Sequence, residues 1–298
     1  AKLDMLEGEP PGKGGLNWED AQLMLQGNPE MKHKRYLSRA PGGLELRIDK
    51  PELPWYDINV RRAMTMAIDY DTIITDYFKG NADFAYPIVP YPEYIPMYTP
   101  MDEQPAEVRD MYTYQPDKAK QLLAKAGYPD GFKIEVLTEQ RFVDDLSIMK
   151  DQLGKVGVDI DIQVKERGVF VSTTDGWKHN HATYESLSAA VPYAFHSTNP
   201  TDTSNHSRVD DPYANKVYLD SRADYMFAES KIWPMMKEFK QWEIAQAFAI
   251  QFPSPYVYHL WWPWVKNYNG EDYLGISTRH YWTKHVWIDQ DLKRTMGH

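Results

Sequence analysis

Between Pro116 and Lys165 the spacing of apolar residues switches from helical to alternating and back, and this succession limits the chain to a small set of folds. Pro116 suits the first turn of a helix, and Asp117 lies near the positive end of the helix dipole. Ala119, Leu122, Leu123 and Ala126 form one apolar stripe. Gly127 can take the left-handed conformation that ends a helix, and Pro129 prevents resumption. Lys133–Thr138 then sets Ile134 and Val136 on one face, while Phe142, Leu146, Met149, Leu153 and Val156 return to helical spacing. After Gly157, Val158, Ile160, Ile162 and Val164 alternate with Asp159, Asp161, Gln163 and Lys165, the pattern of a strand with one wet face. The segment reads as a β-α-β unit, and the fold class as α/β.

The flanks are consistent with that core. Over Ile58–Ile73, Val60, Ala63, Met64, Ala67 and Ile68 fall at helical spacing, leaving Arg61, Arg62, Thr65 and Asp69 mostly on other faces. This predicts a half-buried helix in which the two arginines are structural. Between Tyr77 and Pro116, seven prolines among many tyrosines exclude a long regular element, so an ordered loop packed by aromatics is expected. Thr183–Ser188 is strand-like. Pro234 is placed to start a helix with Met235, Phe239, Trp242, Ala245 and Ala249 on one face, and Tyr256, Tyr258 and Leu260 suggest another strand.

Composition narrows function by exclusion. A net charge of -10 opposes a nucleic-acid partner, since phosphate binding needs clustered Lys and Arg and only Lys32–Arg35 offers a short run. The absence of cysteine removes disulfides, thiolate metal sites and cysteine nucleophiles. No apolar run reaches the about 18 residues of a membrane span, and the first residues carry no signal pattern.

Two stretches carry a family resemblance: Asn59–Ile73, reading N-V-R-R-A-M-T-M-A-I-D-Y-D-T-I, and Asp117–Phe132, reading D-K-A-K-Q-L-L-A-K-A-G-Y-P-D-G-F. With the Pro/Tyr-rich loop between them, they resemble family 5 of the extracytoplasmic solute-binding proteins, the dipeptide/oligopeptide class of ABC importers. The resemblance implies a periplasmic-binding-protein-like type II lobe, with a mixed sheet flanked by helices. It divides the chain into 1–48, a remnant of a first lobe and hinge; 49–260, the C-terminal ligand-binding lobe; and 261–298, a return segment. Lys2-Leu3-Asp4-Met5 is similar to a mid-chain segment of the family, so a chain lacking the N-terminal half is expected.

The resemblance further implies non-catalytic capture of a peptide or other small polar solute between two lobes, outside the cytoplasm. Its partners would be that ligand and a membrane permease, with no nucleic acid, no cofactor and a monomeric state. Peptide-binding relatives carry a W-x-x-D-Y-x-D-P-like segment at the cleft, whose aspartate pairs with a peptide amino terminus. Here the corresponding Ala190–Pro200 keeps an aromatic and a proline but lacks the acidic residue, with Asp202 the nearest carboxylate. Amine capture is therefore not carried over.

The expected ligand contacts are Tyr193, Phe195, His196, Asp202, Asn205, His206 and Trp177, on the grounds that clefts favour aromatic and placed polar groups in loops at strand ends. Trp261 and Trp262 join them, because adjacent strand residues face opposite sides and one can meet the cleft while the other packs inward. No catalytic residue and no metal site is expected. His179-Asn180-His181 lacks the context of a nuclease motif, and His179, His181, His196 and His206 match no standard ligand spacing. Asp144-Asp145 and Asp210-Asp211 read as solvated turn residues. Two rival readings are kept: a carbohydrate-active hydrolase, which needs two carboxyls about 5 to 9.5 Å apart, and an aromatic-rich interaction module with a large exposed apolar patch.

Overall fold

The computed structural model describes residues 3–6, 16, 18–85, 87–92, 94–187, 198–222, 224, 227–271 and 284–298. The chain divides into two compact units, Arg39–Ser254 and Ala1–Ser38 with Pro255–His298. Both edges of the larger unit lie N-terminal to the expected 49 and 260. The reason is strand pairing: Gly42–Leu46 belongs to the larger unit's sheet, and most of Ser254–Trp261 to the smaller unit's.

The larger unit is built on a five-stranded sheet ordered Val158–Val164, Phe132–Thr138, Ala182–Ser186, Gly42–Leu46, Ala249–Gln251. The first three strands are parallel and the last two pair antiparallel, giving the expected mixed sheet. The β-α-β unit is present, with helix Val143–Gly154 between strands in the register Ile134↔Ile160 and Val136↔Ile162. The Pro116–Lys125 helix ends as its sequence dictates: Gly127 sits at φ +98°, its N–H donates to the Ala124 carbonyl, and the Tyr128 N–H donates to Leu123. These are the paired bonds of a Schellman cap. Gly131 starts the next strand so close to Gly157 that a Cβ there would lie 1.8 Å from the Gly157 carbonyl oxygen. Strand entry therefore requires glycine.

One face of this sheet is the core. Leu44, Leu46, Ile134, Val136, Ile160, Tyr184 and Ile250 join Val60, Ala63 and Met64 of one helix and Leu146, Met149 and Leu153 of another in a single buried cluster. Each aliphatic side chain so buried contributes about 1.5–3 kcal/mol. On the outer strand the alternation fades: Val158 and Ile160 are buried, but Val164 is exposed.

Helix Ile58–Met66 starts on Asp57, whose side chain accepts from the Asn59 N–H, and stops short of the expected Ile73. Asp69 interrupts it, capping a separate turn at Tyr70–Thr72 by accepting from the Thr72 N–H. A wider turn, Ile73–Tyr77, follows. The signature arginines are structural, as expected. Arg61 donates to the carbonyls of Trp55, Tyr56 and Gln246, and Arg62 to Ala245. They close the C-terminal carbonyls of helix Glu229–Gln246, which have no partner within the helix.

That helix corrects one expectation. It begins at Glu229 and carries Pro234 inside it. It also ends before Ala249, because Ala247 adopts a left-handed backbone (φ 50°, ψ 44°) and Ala249 enters a strand. The Pro/Tyr-rich stretch is an ordered region of short elements, Ile95–Met97, Met101–Glu103 and Ala106–Met111, with Tyr91 and Tyr94 stacked at 6.3 Å and Tyr70, Phe84 and Tyr112 in mutual contact.

In the smaller unit, Ser254–Trp261 pairs antiparallel with Lys32–Leu37 and Met5–Leu6. Helices Trp18–Gly27 and Gln290–Thr295 supply further cover. Its core gathers Ala21, Met31, Tyr258, Leu260, Trp261, Trp262, Trp264, Val265 and Tyr268. Asp4 accepts from Trp264 Nε1 (2.7 Å) and Lys293 Nζ (2.5 Å), and the Lys293 hydrogen bond is the main force holding its carboxyl below the usual carboxylate range.

Candidate functional site at the sheet end

Opposite the core face, the larger unit's sheet presents a polar surface. Glu45 pairs with Thr183 and Gly43 with Glu185, so the two glutamates are diagonal neighbours on one face of two antiparallel strands. Glu45 is only 5 % exposed, in a strand whose other residues are all buried. A buried carboxylate of this kind needs a partner.

His206 is that partner. The loop that carries it is locked by Asn205: its Nδ2 donates to the carbonyls of Asn199 (3.0 Å) and Val209 (2.8 Å), and its Oδ1 accepts from the Val209 N–H. The Ile48 N–H donates to Ser207, and Ser207 Oγ donates to Phe248, docking the loop on the sheet. The His206 imidazole then lies with Nδ1 2.6 Å from Glu185 Oε1 and 3.5 Å from Glu45 Oε2. Its Nε2 faces Asp175 Oδ1 at 3.1 Å, just beyond helix Arg167–Thr174.

Burial acts to lower the His206 pKa, but the Glu185 and Glu45 carboxylates outweigh it and push the imidazole up to about 11. Burial raises Glu185, against the opposing pull of His206. Adjacent polar groups are consumed by structure. Arg47 forms a two-pronged pair with Asp49 (2.7 Å at each oxygen) and donates to the carbonyls of Trp177 and His179. Burial would raise Asp49, yet these Arg47 hydrogen bonds leave its carboxyl lowered. His179 donates Nε2–H to the His206 carbonyl at 2.9 Å, and burial, reinforced by Arg47, lowers it to about 4.

The residues expected to touch ligand fall into three groups. Tyr193, Phe195 and His196 lie outside the described residues. Trp177, Asp202, Asn205 and His206 come together at the sheet end, but in different roles. Trp177 is half-buried at φ 54°, with the Arg208 guanidinium 3.8 Å from its ring centroid. Asp202 accepts from the Ser204 N–H in a tight turn, and Asn205 spends its amide inside the loop. Trp261 and Trp262 are both buried in the smaller unit: Trp261 packs edge-on to Tyr268 at 4.9 Å, and Trp262 stacks on Trp264 at 4.6 Å while bordering a cavity of about 370 Å³ lined by Met5, Met24 and Met31.

The sequence reading missed Glu45, Glu185 and Asp175. A signal was present, since a lone glutamate within the apolar run Gly42–Leu46 is costly unless paired. The acidic pairs read as solvated turns also have duties. Asp211 caps helix Pro212–Ser221 by accepting from the Tyr213 and Ala214 N–H groups, and Asp210 accepts from Asn215. Asp145 accepts from the Tyr77 hydroxyl at 3.0 Å in the first turn of Val143–Gly154, and burial raises its pKa to about 6.

Comparison with known proteins agrees with this architecture. The glutathione-binding protein GsiB of Pectobacterium atrosepticum is 28% identical over 240 residues, covering 71% of this chain and 42% of that protein. The heme-binding protein A of Haemophilus influenzae is 39% identical over 82 residues, 28% of this chain and 13% of its own. The periplasmic binding protein DppA from Helicobacter pylori, solved with the peptide STSA, superposes with a TM-score of 0.69 at 22% identity, covering 93% of this chain and 52% of that one. The chain thus spans about half or less of the length of these relatives. The expected type II binding-protein fold is matched. With residues 16–209 matching the model of the bacterial extracellular solute-binding proteins, family 5 (middle), the chain belongs to that family.

Proposed function

We propose that this chain is the substrate-binding component of an ABC importer, capturing a peptide or other small polar solute without catalysis for delivery to a membrane permease. The observation that carries this reading is the family match over residues 16–209, which contains both signature stretches and the whole sheet-end cluster. Relatives are named for glutathione, dipeptides and heme, so the family framework supports several cargoes. Among the described residues no helix is long and apolar enough to cross a membrane, which agrees with a domain that acts beside a permease. An extracytoplasmic location, a monomeric state and the absence of a nucleic-acid partner belong to the same reading.

In this reading the ligand is held beyond the Ala182–Ser186 strand, with Trp177 and His206 among its contacts and Tyr193, Phe195 and His196 contributing from the sequence that follows that strand. In the whole protein ligand favours a closed arrangement of the two lobes only through better contacts there. Asp202 and Asn205 shape the loop. Calorimetry against di- and tripeptides, glutathione, heme and short oligosaccharides, with mass spectrometry of the mixture afterwards, tests the proposal. One class should bind and be recovered unchanged. Cleaved oligosaccharide or peptide would instead support the hydrolase reading.

A further inference from the structure

The sheet-end cluster has a property that solute capture does not use. Glu45, Glu185 and His206 each offer a ligand atom, and these atoms all lie within 4.8 Å of one another. The side chains of Glu45 and His206 are each only 6 % exposed. His206 Nδ1 is buried and, although 2.6 Å from Glu185 Oε1, makes no hydrogen bond of acceptable direction; Glu185 Oε1 is equally unsatisfied.

The other ring nitrogen completes the arrangement. Asp175 Oδ1 lies 3.1 Å from Nε2 and can accept the Nε2–H, so an ion that displaces the Nδ1 proton to solvent would meet the Nδ1 lone pair on the side of the two glutamates. A carboxylate behind a histidine in this way is the usual outer support of a metal-binding imidazole, fixing tautomer and ring orientation. Charge argues in the same direction. Three carboxylates surround one imidazole, and a proton supplies a single positive charge where a divalent ion supplies two.

We propose that Glu45, Glu185 and His206 bind one divalent transition-metal ion of the zinc type, with Asp175 as a positioning residue. Ligand bonds of 2.0–2.2 Å in a tetrahedron place ligand atoms about 3.4 Å apart. The Nδ1 to Glu45 Oε2 separation of 3.5 Å already matches, whereas Glu185 Oε1, 2.6 Å from Nδ1, must swing outward to the same spacing, all three ligand atoms lying within 4.8 Å of one another. One imidazole with two carboxylates suits Zn²⁺, Co²⁺ or Ni²⁺, whereas Ca²⁺ and Mg²⁺ take oxygen ligands. The ion would join the Gly42–Leu46 and Ala182–Ser186 strands to the His206 loop, and three protein ligands leave a position open to water or solute.

The probe is Co²⁺ added to chelator-stripped protein and followed by its visible absorption, with Zn²⁺ displacing it. One equivalent should bind with a defined spectrum and raise the melting temperature. Glu185→Gln and Glu45→Gln should each weaken binding at least tenfold, Asp175→Asn about tenfold with unchanged stoichiometry, and His33→Gln, at an exposed strand position, should change nothing. Unaltered affinity in Glu185→Gln would overturn the proposal, as would an absence of saturable binding by the wild type. Should the buried variants fail to fold, anomalous diffraction from wild-type crystals grown with Zn²⁺ decides. A peak bonded to His206 Nδ1 supports the site, and a peak elsewhere or none refutes it.

Discussion

Arg61 and His206 are both buried in the larger unit, one 5 % and the other 4 % exposed, yet their surroundings differ in kind. Arg61 sits among neutral partners, the carbonyls of Trp55, Tyr56 and Gln246, and joins the signature helix to the end of Glu229–Gln246. Burial lowers its pKa to about 10, which leaves it charged at neutral pH. His206 sits among three carboxylates supplied by two strands and the end of a helix. The first arrangement satisfies orphan carbonyls and holds the framework. The second concentrates like charge in a buried place, a cost to stability that points to a task beyond folding.

The largest expected effect tests the framework half of this contrast. Arg61→Ala strands three carbonyl acceptors and should destabilise by about 2–4 kcal/mol, read as a lower urea midpoint with unchanged slope. A change below about 0.5 kcal/mol would break the comparison, because Arg61 would then not be a staple. Next comes Asn205→Ala, which removes three loop hydrogen bonds and should cost about 1–2 kcal/mol while loosening the seat of His206. Amide exchange of Val209 should accelerate in this variant and not in Arg61→Ala if the two regions are separable.

Asp145 sharpens the comparison from a third direction, since it is a half-buried carboxylate whose partner is a tyrosine hydroxyl. Its carboxyl is raised from 3.8 to about 6, so the folded state holds the proton more tightly than the unfolded chain. Stability contributed by the neutral form is present at pH 4 and falls as pH rises through about 6. Partial exposure reduces the effect below the full linkage value of about 3 kcal/mol, to about 1–2 kcal/mol. Asp145→Asn can still accept from Tyr77, and should raise the melting temperature at pH 7.5 but not at pH 4. Equal shifts at both pH values would show that charge is not the cause. Smallest is Lys155→Ala, breaking an exposed pair with Asp151, where a change within about 0.5 kcal/mol is expected.

The framework was legible in the sequence because it is built from local rules. The alternation in Val158–Val164, the helical recurrence from Phe142 to Val156 and the glycine at 127 each act within a few residues, and the strand, the helix and the left-handed glycine they predict are present, although the burial alternation holds only over the first half of the strand. Pro234 misled because its position in the helix depends on a start at Glu229 that no strong signal marks. The strand Gly42–Leu46 was missed because a five-residue buried strand has no alternation to display. Beyond the lone Glu45, the sheet-end cluster was illegible for a different reason. Glu45, Asp175, Glu185 and His206 are distant in sequence, and only antiparallel register and a docked loop bring them together. Spacing rules for histidines looked for ligands near one another in the chain, whereas here the second and third ligands are carboxylates on other strands.

Carriage of a small solute is the central property proposed for this chain. Native mass spectrometry of the protein purified from its own host tests that most directly. The expected spectrum shows the protein with one non-covalently bound small polar molecule, released intact on gentle activation. A protein that carries no solute and converts a supplied one to products would contradict it.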